Sequence, residues 1–439
     1  MTIYEIISKK RRGEKLSADE ILFITEGFTR GEVPDVQMAA FLMAVCINGM
    51  DFEETMQLTG AMMYSGDVYD LDREIGLCAD KHSTGGVGDK TTLVVAAVCA
   101  SCGVYVPKMS GRGLGFTGGT IDKLESIPGY RTELSHEEFI GIVKKAGFSV
   151  TSQSGHLVPA DKKMYALRDI TATVDSIPLI CSSIMSKKLA TGAGRLVLDV
   201  KCGSGAFMKN ADDARELARF MLETARRMGR KCTCVITDMD KPLGRTAGNG
   251  IEVAEALQLL KGEIHPGADG LYQVCMELAA RMLMLCGKGT REECVALAEN
   301  AISTGAAYEA FCQNVSLQGG DVHALEDYSL LYSPKKTLLI RADRAGFISR
   351  IDCEKAGLCA VSLGAGRQRK GDAVDHSAGI HFVKTVGEYT DKGDIIAEIM
   401  TSTPSCDTDD AAHMISSAYH ITEEEPERIP PVIYTMDTV

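Results

Sequence analysis

The pattern of apolar and polar positions over residues 1–65 predicts a set of helices. Ser17 with Glu20, and Asp51 with Glu54, have the spacing of a capping box, in which side chains satisfy the first orphan N–H groups of a helix. Residues 36–46 are apolar nearly all round, which predicts a buried helix. From about Ile75 the character changes. Short apolar runs at 75–79, 104–106, 196–200 and 232–237 alternate with glycine turns and helical stretches. Strands that alternate with helices imply parallel βα units and a sheet covered on both faces. A second helical stretch, 159–189, interrupts them and is expected to join the N-terminal helices in space. A polar turn at 332–336 marks a boundary, and short runs with glycine turns to about Thr401 predict a small β-rich domain. The residues around 423–427 and Pro430-Pro431 read as a surface tail. The expected fold is therefore α/β plus α. A helical domain (1–70, with 159–192) accompanies a mostly parallel-sheet α/β domain (71–158 and 193–332) and a C-terminal α+β domain (337–439).

Composition narrows the function classes. The chain has 439 residues, with 47 Lys and Arg against 60 Asp and Glu, a formal net charge of -13. An acidic surface repels polyanions, so no nucleic acid or membrane surface is expected as a partner, while a local basic pocket for a small anion remains open. The start reads as an amphipathic helix and not as a signal. The longest apolar stretch, 92–102, is too short to span a bilayer. The 15 cysteines are odd in number and scattered through apolar runs, as in a reduced cytoplasm. Cys99 with Cys102 and Cys232 with Cys234 lack partner pairs at zinc-finger distance and are read as packing residues.

Two glycine loops carry the strongest chemical signal. One is Lys81-His82-Ser83-Thr84-Gly85-Gly86-Val87-Gly88-Asp89-Lys90; the other runs from Lys108-Met109-Ser110 through Gly111, Gly113, Gly115, Gly118 and Gly119 to Thr120. Each follows a predicted strand and precedes a predicted helix. Glycine allows close backbone approach, and a helix N-terminus favours negative charge, so the pair points to phosphate. Lys81, Ser83, Ser110 and Thr120 add donors. Neither loop is a Walker A sequence, since Asp89 stands where that motif needs glycine. A second set comprises Arg168 and, four apart on one helix face, Ser183 and Lys187. A donor fork, a hydroxyl and an ammonium suit a flat heterocycle with carbonyl oxygens; the bland alternative is a solvated basic face. His82 is the one histidine inside a strong motif, and the others, His265 among them, are read as structural. Asp212 and Asp213 fit the first turn of a helix better than a metal site.

These motifs closely resemble the pyrimidine nucleoside phosphorylase and thymidine phosphorylase family. The likeness rests on the two glycine loops, on Val158-Pro159-Ala160-Asp161-Lys162-Lys163 and on Arg168-Asp169-Ile170-Thr171-Ala172-Thr173-Val174. It continues through 182–189, 199–208, 238–255 and 363–367, nearly the whole chain. The resemblance implies a homodimer whose substrate cleft lies between the helical and α/β domains. The reaction it implies is reversible phosphorolysis of pyrimidine nucleosides (uridine, thymidine, deoxyuridine) to free base and pentose 1-phosphate. Inorganic phosphate is the co-substrate, and no organic cofactor is implied. By that likeness Lys81, Ser83, Thr92, Ser110 and Thr120, with Lys108 and Met109 alongside, hold phosphate. Arg168, Ser183 and Lys187 bind the base, and His82 lies near its O2, so that His82, Arg168 and Lys187 form the catalytic set.

Lys108 stands where broad-specificity members meet the ribose 2′-OH region, which favours uridine and thymidine together over a thymidine-specific enzyme. A phosphoribosyltransferase and a non-catalytic nucleoside or phosphate sensor are the other readings. A carrier role for the C-terminal domain finds only ordinary turns at Thr385-Val386-Gly387 and Lys392-Gly393-Asp394. Three departures from the family stand out. Phe116 replaces a histidine, with an expected loss of a polar contact near the cleft, and Ser152 and His156 replace smaller residues. Lys90 replaces a threonine at a potassium site that otherwise draws on Gly88, Leu243, Thr246 and Glu255. The Lys90 ammonium is expected to take the ion's place and pair with Glu255.

Overall fold

The computed structural model describes residues 1–113, 115–153, 155–264, 267–369 and 371–438; His265 lies outside them. Four N-terminal helices, α1 (Ile3–Arg11), α2 (Ala18–Arg30), α3 (Asp35–Asn48) and α4 (Phe52–Met63), pack through a shared apolar core. Both expected capping boxes form, with Ser17 on α2 and Asp51 on α4. Helix α3 differs from its prediction. Met38, Phe41, Leu42 and Val45 are buried, but Val36, Ala40, Met43 and Ile47 form an exposed stripe on the opposite side. The bundle supplies only one wall for this helix, which rests on α1 and on a later helix described below, so its second apolar face is left at the surface.

Next comes a short α5 (Leu71–Ile75), capped by Asp70, then β1 (Ala79–Ser83). The strand predicted at 75–79 is thus corrected. Ile75 closes a helix, and the strand is the charged segment that follows, Lys81 and His82 included. Then come α6 (Thr91–Ser101), β2 (Val106–Ser110), α7 (Thr120–Leu124), α8 (His136–Ala146) and β3 (Phe148–Ser152). Helices α9 (Pro159–Ile170) and α10 (Ile177–Thr191) return to the bundle, α9 against α2 and α3, α10 against α4. The α/β region resumes with β4 (Arg195–Cys202), α11 (Ala211–Arg227) and β5 (Lys231–Asp238). Asn210 caps α11, and Asp212 and Asp213 occupy its first turn.

Strands β1, β4 and β5 pair in parallel, as do β2 and β3. A parallel bridge between Cys78 and Tyr105 joins the two groups beside β1. The chain therefore leaves β1 toward β2 and β3 on one side and toward β4 and β5 on the other. The carboxyl ends of β1 and β4 flank this change of direction, where open α/β sheets bind ligands. One apolar cluster, which includes α6, lies on one face of the sheet; α10 and α11 belong to a second cluster on the other.

A three-residue β6 (Thr246–Gly248) leads into α12 (Gly250–Leu260), α13 (Asp269–Leu285), α14 (Arg291–Ser303) and α15 (Ala306–Leu317). The C-terminal region adds β7 (Lys336–Arg341), β8 (Gly346–Ile351), α16 (Cys353–Leu363), β9 (Gly379–Phe382), β10 (Tyr389–Thr390), β11 (Ile395–Thr401), α17 (Thr408–Ala418) and β12 (Tyr419–Thr422). They form two antiparallel sheets, β6-β9-β11-β7 and β10-β8-β12. Two segments cross the boundaries expected from sequence. Segment β6, from within 193–332, belongs to the C-terminal sheet. Residues 432–437, expected to continue a surface tail, form β13 (Val432–Asp437), antiparallel to β5 at the edge of the central sheet. The prolines at 430–431 stop short of the strand, as an edge strand requires. No helix among the described residues is long and apolar enough to cross a membrane.

Candidate active site

The two glycine loops leave adjacent strands of the sheet. Ser83 and Ser110 are the last residues of β1 and β2. Thr92 and Thr120 lie in the first turns of α6 and α7, where orphan N–H groups favour an anion. Lys81 is buried, and its Nζ donates to Thr91 Oγ1 at 2.5 Å with Asp199 Oδ2 at 3.4 Å. Asp199, opposite Ser83 on β4, also pairs with Lys201 at 2.8 Å and accepts from Thr237 Oγ1 at 2.6 Å. Burial opposes charge on Asp89, but Lys81, Lys201 and Lys123 outweigh it and hold that carboxyl well below the usual range. Burial is likewise overcome at Lys201, whose pKa is raised by Asp199 and Asp89. The loops are thus braced from behind by balanced buried ion pairs, while their serines and threonines are the shorter donors at the strand ends.

The second set is built by α9 and α10. Lys187 Nζ donates to Ser183 Oγ at 2.8 Å and to Asp161 Oδ2 at 2.5 Å, so the predicted i, i+4 pair forms. Arg168 is buried, and its guanidinium donates to three carbonyls: Thr173 at 3.1 Å, Leu179 at 3.1 Å and Val174 at 2.7 Å. Three of its five N–H groups are used in this way, which fixes the plane of the fork and leaves donors for a ligand. The Tyr165 ring lies 5.4 Å from Arg168 and 5.5 Å from Lys187. A solvated basic face is excluded for Arg168 by its burial.

The two sets meet around β1. His82 is half-buried. Burial, then the positive charges of Lys188, Lys108, Lys187 and Lys81, hold its imidazole well below the usual histidine range. The ring is therefore neutral near pH 7, and it lies within the field of lysines from both sets. Lys108 is buried on β2; burial first, then Lys188, pushes its amine well below the usual lysine range. Asp80 counters both cations, 2.7 Å from Lys188 and 3.9 Å from Lys108. Lys188 also donates to Met109 O at 3.2 Å, so one side chain of α10 clasps β1 and β2.

Lys90 is wholly buried beside the first loop. Its Nζ donates to Leu243 O and Thr246 O, both at 3.0 Å, and to Glu255 Oε2 at 2.7 Å. Phe116 stands in the loop between β2 and α7. It packs against the apolar cluster and meets α16, where a Cβ on Gly357 would come within 2.6 Å of Phe116 O and 3.1 Å of Phe116 Cβ. Lys209 Nζ stands 5.8 Å from the Phe116 ring. The loop between β2 and α7 is further fixed by Asp122, which accepts from Gly113 N at 2.6 Å and from Arg367 of the C-terminal region at 2.7 Å.

Sequence reading missed the carboxylates that set these cations: Asp80, Asp89 as a partner, Asp161 and Asp199. It also missed Lys188 and Lys201. Asp199 and Lys201 sit two apart on β4, a charged pair that interrupts the apolar run after Arg195, and that interruption was the available signal.

Known proteins resemble the chain over this whole frame. Residues 4–66 match the helical bundle domain of a glycosyl transferase family, and residues 76–308 match its α/β domain. Residues 347–422 match the pyrimidine nucleoside phosphorylase C-terminal domain. The pyrimidine-nucleoside phosphorylase of Geobacillus stearothermophilus is 48% identical over 408 residues, 93% of this chain and 94% of that protein. That of Bacillus subtilis is 44% identical over 440 residues, covering 100% of both chains. A crystal structure of anthranilate phosphoribosyltransferase from Thermus thermophilus has a TM-score of 0.57 over 71% of this chain and 99% of its own, at 23% identity, a likeness of fold alone.

Proposed function

Because the chain belongs to the pyrimidine nucleoside phosphorylase family, we propose that it catalyses the reversible phosphorolysis of pyrimidine nucleosides, releasing free base and pentose 1-phosphate. The observation that carries this reading is the clasp between the two sets: Lys188, next to Lys187 on α10, donates to Asp80 of β1 at 2.7 Å and to Met109 O of β2 at 3.2 Å, the strands from which the two glycine loops leave. Phosphate is the nucleophile, so the reaction needs no serine or cysteine for that role. Cleavage of the glycosidic bond proceeds through an oxocarbenium-like sugar while negative charge builds on the departing base.

Lys81, Ser83, Thr92, Ser110 and Thr120, with Lys108 and Met109 beside them, hold phosphate below C1′. Arg168 and Lys187 stabilise the charge that develops on the base, and Ser183 orients its edge. His82 donates a hydrogen bond or a proton toward O2 of the base. Lys108 meets the 2′-OH region, so uridine, deoxyuridine and thymidine are all accepted.

The active form is a homodimer; the exposed apolar stripe of α3 is the surface that supports this. The cytoplasm is its place, in keeping with 15 cysteines that are all free. The test is incubation of purified protein with uridine, deoxyuridine, thymidine and cytidine, with and without phosphate, and quantification of free base. Phosphate-dependent release from uridine and thymidine is expected. Release from thymidine alone overturns the role of Lys108, and release from none overturns the proposed activity.

A further inference from the structure

Family likeness calls for potassium at Gly88, Leu243, Thr246 and Glu255, and the residues of this chain do not fit it. Lys90 Nζ already stands among those oxygens, 3.0 Å from Leu243 O, 3.0 Å from Thr246 O and 2.7 Å from Glu255 Oε2. An ammonium has three N–H donors and no acceptor, so three oxygens satisfy it. A hard cation selects the same carbonyl and carboxylate oxygens and would need the same volume. Charge gives an independent reason. Glu255 faces Lys90, and Glu252 faces Lys123 at 2.8 Å with Lys90 at 4.0 Å, so two buried carboxylates meet two ammoniums. A further positive charge would be uncompensated there.

The cage also joins distant parts of the chain. Gly88, at φ +76°, lies so close to the same two carbonyls that a Cβ would be 2.6 Å from Leu243 O and 2.8 Å from Thr246 O. Lys90 immediately precedes α6, whose Thr91 holds Lys81. Beyond the cage, Glu255 Oε1 accepts from Arg245 N at 2.6 Å, and the Arg245 guanidinium reaches Glu388 and Val383 O in the C-terminal region. A continuous chain of contacts therefore runs from the first glycine loop through Lys90 and Glu255 to the C-terminal sheets.

We propose that Lys90 is a built-in monovalent cation. It is a positioning residue that fixes the glycine loop to residues 243–255 and makes the protein indifferent to potassium. The activity readout rests on the proposed phosphorolysis; the thermal readout does not. Lys90→Thr removes the ammonium and adds a hydroxyl to three remaining oxygens, which opens a cation cage. Lys90→Met removes the ammonium and adds no oxygen.

The experiment measures the thermal midpoint and phosphate kinetics of the native protein and both variants, in potassium chloride and in choline chloride of equal ionic strength. The native midpoint is expected to be the same in both salts. In choline, Lys90→Thr should lose at least about 5 °C, as removal of one partner from a buried pair implies. Its phosphate KM should rise about tenfold with a smaller change in kcat, and potassium should restore both. Lys90→Met should stay impaired in either salt. A native midpoint that climbs with potassium overturns the proposal, as does a Lys90→Thr protein that behaves alike in both salts. If Lys90→Thr does not fold, the native comparison decides alone. If no base is released at all, the midpoints still decide, and only the proposed activity falls.

Discussion

At the scale of single residues, two depressed pKa values make separable predictions. His82 is held neutral by burial and neighbouring lysines, well below its ordinary value of 6.5. As pH falls through 6.5 the unfolded chain takes up a proton there and the folded chain does not, so stability declines on acidification from that point. Thermal midpoints measured between about pH 7 and 5 should therefore fall less steeply for His82→Gln than for the native protein. Equal slopes would mean that His82 titrates normally. Lys108 carries the opposite tension between stability and function. Its amine lies below the usual value of 10.5, so at neutral pH the folded state is penalised, and the penalty eases only as pH rises toward 10.5. Lys108→Met removes that penalty and leaves Asp80 paired with Lys188. The variant should keep or gain thermal stability while its kcat/KM for uridine falls about tenfold relative to thymidine, the effect of one lost polar contact. An unchanged uridine-to-thymidine ratio would remove Lys108 from the specificity reading.

At the scale of elements, the loop between β2 and α7 is fixed from outside the α/β region. Phe116 sits on α16 at a place where only glycine fits, and Arg367 reaches back to Asp122. Gly357→Ala puts a methyl group against Phe116 O and Val87 Cγ2, at 2.6 and 2.9 Å, so the loop must shift to admit it. The expected result is a phosphate KM raised several-fold, read from initial rates at saturating uridine, with a fall of a few degrees in the thermal midpoint. A lower midpoint with unchanged phosphate KM would make the contact purely structural. This element also explains what the sequence revealed and what it hid. The loops, the capped helices and the Ser183–Lys187 pair were legible because each rests on local spacing. Strand β1 was displaced in the reading because the apolar run before it ends a helix, and because its own Asp80, Lys81 and His82 look unlike an interior strand. Its charges are balanced by Lys188, Lys108 and Asp199 from other strands and helices, with Asp89 and Thr91 from the following loop and helix. The contact of Phe116 with Gly357 was hidden for the same reason: the two are remote in sequence. Long-range pairing leaves no periodic trace.

At the scale of the molecule, the regions are stitched together more than their order along the chain suggests. Segment β6 leaves the α/β stretch for the C-terminal sheet, and β13 returns from the C-terminus to the edge of the central one. Each region is thereby held by a strand of its neighbour, while the surface stripe of α3 stays exposed among the described residues. Val36 and Ile47 are 77% and 74% exposed on that stripe, and Tyr4 of the adjacent α1 is 73% exposed. Exposed apolar residues are ordinary one at a time; a row at helical spacing on one face is the feature that marks a contact surface. A second copy meeting through the same face would bury such a row symmetrically, as two-fold dimers do. The double substitution Val36→Glu and Ile47→Glu sets like charges against each other across that axis without touching the buried Met38, Phe41 and Leu42. Sedimentation should find the native protein as a dimer and the variant as a monomer with its circular dichroism preserved. Both proteins sedimenting alike, as dimers or as monomers, would take the stripe out of the assembly.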